Sequence, residues 1–180
     1  MSEESVTVLT SKIAEERLHA IVAKRPLFPF FSTTVSILGS RMVHYPYWCV
    51  SLEATATQKL KKNQTLKLLV TVDAVTGDVG YAKSLPEGSQ VPEGSVPDKL
   101  KVRVTRNEAW KKAEDFALDL FMRKIFFLKE VSNQIKETHL IYYPYWVVDL
   151  QKGGETSRRS VDAIHGEVNN KVVHHLEEEE

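Results

Sequence analysis

The tetrapeptide Tyr-Pro-Tyr-Trp occurs twice in this chain, at Tyr45–Trp48 and again at Tyr143–Trp146. A second echo follows each copy: Val72-Asp73-Ala74-Val75-Thr76-Gly77-Asp78-Val79, then Val161-Asp162-Ala163-Ile164-His165-Gly166-Glu167-Val168. At an unbroken offset of 98, Arg25 matches Arg123, Phe28 matches Phe126, Ile37 matches Ile135, Val50 matches Val148 and Leu52 matches Leu150. Upstream the offset drifts to 96, pairing Val6-Thr7-Val8 with Val102-Arg103-Val104. Downstream it falls to 89, because the stretch before Val72 is nine residues longer than its counterpart before Val161. This is an internal duplication, and any fold for the chain has to be built from two copies of one pattern.

Each copy reads alike. A Val-x-Val segment is followed by an expected helix, from Ser11 to about Lys24 in copy one and from Arg106 to about Lys124 in copy two. Thr105-Arg106-Asn107-Glu108 has the capping-box pattern, in which Thr and Glu satisfy free N–H groups at a helix start. Ala109, Ala113, Phe116, Ala117, Leu120 and Phe121 recur at helical spacing as one apolar face. Ile13, Leu18, Ile21 and Val22 do the same less cleanly. Three β segments follow: the aromatic strand, the strand entering Val-Asp-Ala, and a short strand after the glycine. Gly77 and Gly166 suit a tight turn with positive φ. Asp73 and Asp162 stand where a turn uses a carboxylate to cap backbone N–H groups.

The expected organisation is copy one at 1–85, a linker at 86–100, copy two at 101–173 and a disordered acidic tail at 174–180. The linker holds three prolines and two Glu-Gly-Ser triplets, which build neither helix nor central strand. The expected fold class is α+β, as two tandem repeats, each one helix packed on a three- to four-stranded antiparallel sheet.

A helix followed by strands closing on Val-Asp-Ala-x-x-Gly-Glu-Val resembles the PepSY family of small α+β domains. Glu108-Ala109 with Ala113 resembles the family's helix opening, and Val161–Val168 its closing hairpin. Copy one lacks the Glu-Ala opening and has a longer middle loop. The resemblance implies tandem PepSY-like modules without catalytic residues. Such domains occur in propeptides of thermolysin-like proteases and in bacterial envelope or membrane-associated proteins, where the implied role is to regulate peptidases or bind other proteins.

Lysine plus arginine and aspartate plus glutamate each total 24, so the formal charge is zero, which argues against a dedicated nucleic-acid binder. Cys49 is the single cysteine, so no internal disulfide forms. There is no apolar run of the roughly 18 residues needed for a membrane-spanning helix. The acidic opening Met1-Ser2-Glu3-Glu4 is the opposite of a secretion signal. The expected compartment is the cytoplasm, with an extracytoplasmic domain of a truncated membrane protein as the alternative. His19, His44, His139, His165, His174 and His175 lack metal-site spacing. No glycine-rich phosphate loop or Gly-x-Ser-x-Gly motif occurs. The expectation is a chain that is not an enzyme and holds no cofactor or metal.

Side chains alternate across a strand. Met42, Pro46, Trp48, Val50 and Leu52 therefore share one face, as do Tyr142, Pro144, Trp146, Val148 and Leu150. These apolar sets read as core, with the tryptophans as anchors. The opposite face carries Tyr45, Tyr47, Cys49 and Ser51, matched by Tyr143, Tyr145, Val147 and Asp149. The four tyrosines, Tyr45, Tyr47, Tyr143 and Tyr145, are the candidate binding residues. Either their faces pack on each other, between units or in a homodimer, or they contact a protein or peptide partner. Proline within a strand marks an edge or bulge, and an edge invites β-augmentation. Lys59, Lys61, Lys62 and Lys67, with Lys152, Arg158 and Arg159, form either a solvated face or a basic patch. The aromatic runs Leu27–Phe31 and Ile125–Leu128 suit the core at a helix–sheet junction or a membrane-touching edge. The functional expectation is a non-enzymatic protein-binding or regulatory module, peptidase-regulating in the PepSY reading. The alternative is a structural or oligomerisation module of an envelope- or membrane-associated assembly.

Overall fold

In a computed structural model of the chain, residues 5–23, 35–58, 63–124 and 128–178 are described. The strands are β1 (Ser5–Leu9), β2 (Val35–Gln58), β3 (Gln64–Asp73), β4 (Val79–Ala82), β5 (Gly88–Pro92), β6 (Leu128–Lys152), β7 (Glu155–Asp162) and β8 (Val168–Asn169). The helices are α1 (Leu18–Val22), α2 (Arg106–Lys124) and α3 (Lys171–Glu177). Residues 27–31, 59, 61, 62 and 125–127, which carry most of the aromatic runs and three of the clustered lysines, lie outside the described residues.

The chain divides into two compact units, and neither is one copy of the repeat. Unit 1 comprises 1–45, 88–100 and 142–180; unit 2 comprises 46–87 and 101–141. Each unit thus joins the first half of one copy to the second half of the other. The strands β2 and β6, 24 and 25 residues long, each give one half to either unit. They are neighbours in a single eight-stranded sheet. The two tandem helix-on-sheet repeats expected from the sequence are therefore not what forms. Each copy's helical segment packs on the other copy's hairpin.

Equivalent hydrogen bonds make the exchange in both units. In unit 1, Lys12 N and Ile13 N both donate to Ala163 O at 2.8 Å, and Trp146 Nε1 donates to Ile13 O at 2.8 Å. In unit 2, Arg103 N and Val104 N donate to Ala74 O at 2.8 and 2.9 Å, and Trp48 Nε1 donates to Val104 O at 2.7 Å. These bonds align Lys12-Ile13 with Arg103-Val104, correcting the upstream match drawn from Val-x-Val. Proline does not make either aromatic strand an edge. The β2–β3 ladder starts at Tyr47↔Asp73 and the β6–β7 ladder at Tyr145↔Asp162, each one residue past the proline. The missing proline N–H falls before the ladder begins, while Pro46 O and Pro144 O accept from Ala74 N and Ala163 N.

In unit 2, α2 lies against β3 and β4. The capping box is made: Thr105 N donates to Glu108 Oε2 at 2.7 Å and Glu108 N to Thr105 Oγ1 at 3.3 Å. Ala109, Ala113, Ala117 and Phe121 are buried, as are Val50, Leu52, Ala54, Val70 and Val72 on the strands. Small alanines let the helix sit close to the sheet. In unit 1, Ala14 stands before a 3-10 turn at Glu15–Arg17 and provides no side-chain cap. The α-helical part is only five residues long, not the span from Ser11. Ile13, Leu18, Val148, Leu150 and Val161 form its core, with Ile21, Val22 and Trp146 packed against them.

Two further segments of unit 1 take up regular structure. The linker forms β5, antiparallel to β1 over Ser5↔Pro92 to Leu9↔Gly88. Gly88 is required there, since a Cβ would stand 2.7 Å from Val8 O. The first residues of the tail, from His174, continue α3, which starts in copy two with the buried Val172 and Val173.

Replacing Trp48 by Phe keeps the ring but strands the Val104 carbonyl. The expected cost is about 1–3 kcal/mol, read as a lower urea midpoint at unchanged slope. A midpoint equal to wild type would remove the tryptophan tie from the account of unit 2.

Candidate functional site

The tyrosines do not form an outer surface. Tyr45 is 0% exposed and Tyr145 is 7% exposed, while Tyr47 and Tyr143 are half-buried. Within unit 1, the Tyr45 ring meets Tyr145 edge-on at 6.1 Å and His175 at 5.9 Å, and Lys171 Nζ lies 5.0 Å from its centroid. His175 and Lys171 belong to α3, so the first residues of the expected tail share with the end of copy two in covering this tyrosine. Burial removes Tyr45 and Tyr145 from partner contact.

The repeated Asp-Gly turns form as expected. Asp73 Oδ1 accepts from Val75 N and Thr76 N, both at 2.9 Å; Asp162 Oδ1 accepts from Ile164 N and His165 N at 2.7 and 2.8 Å. Gly77 and Gly166 take φ of 79° and 78°. Asp162 does more than cap its turn. Tyr143 donates its hydroxyl to Asp162 at 2.9–3.0 Å, and His165 Nδ1 lies 3.1 Å from Asp162 Oδ2 and 2.9 Å from Tyr143 Oη. This cluster fixes the His165 ring at one rim of a groove.

The groove, of about 970 Å³, is lined by Ile13, Ile21, Val22 and Leu150 on its apolar side and by Arg17, Arg159, His165 and Glu167 at its polar positions. Its volume is at the upper end of the ~300–1,000 Å³ usual for ligand pockets. Beside it runs β8, paired only with β7 among the described residues. Arg159 is its unexpected member. Cross-strand register pairs Arg159 with Val148, and the matching pair in unit 2 is Val70 with Val50. A guanidinium thus stands on the helix-facing side of the sheet where the other copy has a fully buried valine. Arg159 Nη1 donates to Asn170 Oδ1 at 2.8 Å. The sequence reading puts Arg159 in either a solvated face or a basic patch, and the residue is exposed. The signal that separates it is its repeat partner, Val70, at the offset of 89.

Among the other described cations of these clusters, Arg158 and Lys67 have carboxylate partners. Arg158 Nε donates to Asp149 at 2.8 Å. In unit 2, a recess of about 720 Å³ includes Lys67, Lys83, Lys136 and Glu53. There the Lys136 ammonium, at 3.0 Å, and Lys67, at 3.8 Å, hold the Glu53 carboxyl below its usual range. Tyr142 donates its buried hydroxyl to Glu93 Oε1 at 2.9 Å; burial first, then Glu93, pushes its ionisation up.

Two buried titratable groups yield measurable consequences. Burial pushes the Cys49 thiol up to about 12. In the native protein an aromatic disulfide reagent should leave it unmodified over hours and label it fully in denaturant; rapid native labelling would contradict this placement. His44 is buried, with Nδ1–H donating to Pro97 O at 2.9 Å. Burial lowers its pKa below the ordinary 6.5, against smaller upward pulls from the Pro97 bond and Asp98. Below pH 6.5 the unfolded chain binds a proton that the folded chain resists, so stability falls as pH drops through this window. His44→Asn keeps a donor for Pro97 and should flatten that slope in urea titrations between pH 7 and 5. An unchanged slope would assign the dependence elsewhere.

Among the described residues no helix is long and apolar enough to cross a membrane. No protein-family model, no curated protein and no solved structure matches this chain.

Proposed function

We propose that this chain is a non-enzymatic, protein-binding module that takes an extended peptide segment of its partner into the groove of unit 1. The observation that carries this reading is the pairing of an apolar channel, Ile13, Ile21, Val22 and Leu150, with the one-sided strand β8. A strand paired on one side offers backbone N–H and C=O groups to an incoming chain, and side chains that alternate on that chain reach the apolar channel. Val168 is exposed and belongs to the groove lining, which keeps this edge accessible. The conspicuous titratable groups already have structural work: both turn aspartates cap backbone, Cys49 is buried, and His44 ties down the linker. The PepSY resemblance implies a peptidase or another protein as the partner class.

A random peptide array probed with the wild-type protein and with Ile21→Asp tests the reading. The expected outcome is a set of bound peptides that the variant, with a carboxylate on the apolar side, loses by about tenfold or more. No bound set, or one indifferent to Ile21→Asp, would end the groove proposal.

A further inference from the structure

We infer that the groove of unit 1 selects an anionic peptide, whose carboxylate is taken by Arg159 while neighbouring apolar side chains lie on Ile13, Ile21 and Leu150. The inference rests on the reading of this groove as a peptide site and adds its specificity. Three observations carry it.

The first is placement. Arg159 shares its sheet face with Val148 and Trp146, within the helix-facing surface of β6 and β7, while its repeat counterpart Val70 is fully buried. Arg159 itself is exposed and lines the groove, so its guanidinium is open to an incoming ligand. The second is support. Asn170 accepts from Nη1 and leaves the rest of the guanidinium fork available, and that fork suits the two oxygens of a carboxylate. Asn170 in turn sits at the start of α3 and also lines the groove. The third is charge balance. Arg17 lines the same groove, and among the described residues neither arginine makes an ion pair. Among the described residues Glu167 is the only carboxylate in the lining, against these two permanent cations. An anionic ligand is complementary to that field; a cationic one is not.

The copy-two residue supplies a clean variant. Arg159→Val installs the side chain that the equivalent site of unit 2 already buries, so the fold should survive, with an unchanged or raised melting temperature. The probes are dye-labelled, amidated Leu-Ser-Glu-Ser-Leu and its glutamine counterpart, followed by fluorescence anisotropy. Alternation places leucine, glutamate and leucine on one face. The wild-type protein should bind the glutamate peptide about tenfold more tightly than the glutamine peptide, the size of a lost charge-assisted contact. That preference should shrink with added salt and vanish in Arg159→Val. If both peptides bind the wild type equally, or if the preference persists in Arg159→Val, the anion site is wrong while the peptide groove stands. If neither peptide binds, and the array is also blank, the groove reading itself falls and this inference falls with it.

Discussion

The Ala163 and Ala74 carbonyls, each taking two backbone N–H groups from the other copy, are the constraint on which the rest of the structure depends. Each sits in a turn held by an aspartate and a left-handed glycine. Each presents its oxygen to the segment that leads into a helix, and a tryptophan from the adjacent strand donates to the carbonyl of that same segment. These buried polar bonds leave the incoming chain no freedom to slide, because a shifted register strands several backbone groups at once.

From that shared arrangement the two units diverge by side-chain size and capping. Copy two enters its helix through Thr105 and Glu108 and continues with an alanine stripe, so α2 runs nineteen residues across the strands. Copy one has Ala14 at the corresponding entry, and Leu18 is buried where Ala109 is buried in unit 2. Its α1 is short, and the sheet face beside it carries Arg159 in place of a valine. The groove is thus the product of divergence between duplicated halves, with one unit closed by its helix and the other left as a lined channel.

The four tyrosines illustrate how a periodicity argument can be right about direction and wrong about environment. Alternation correctly separates Trp48, Val50 and Leu52 from Tyr45 and Cys49, but both faces are covered at this point of the strand. The cover over Tyr45 is α3, which joins the end of copy two to the first residues of the segment read as a disordered tail. Its paired valines, Val172 and Val173, are what anchor it. Two valines in a charged run are too few for any periodic signal, so their burial is decided by the surface waiting for them.

Local features were legible in the residues themselves. The duplication, the start of α2, the capping box and the Asp-Gly turns all rest on patterns among residues close in sequence, as does the alternation that sets the apolar face of each aromatic strand. The partner of each half was not legible. Two copies of one pattern present nearly the same hairpin, and a helix segment that fits one fits the other, so hydrophobic pattern and propensity cannot choose between them. The choice is made by chain connectivity and by strands long enough to pass from one unit into the next, and these exist only in the assembled tertiary structure. The placement of Arg159 follows from the same cause: its residue type was visible, but its neighbours come from the other half of the duplication.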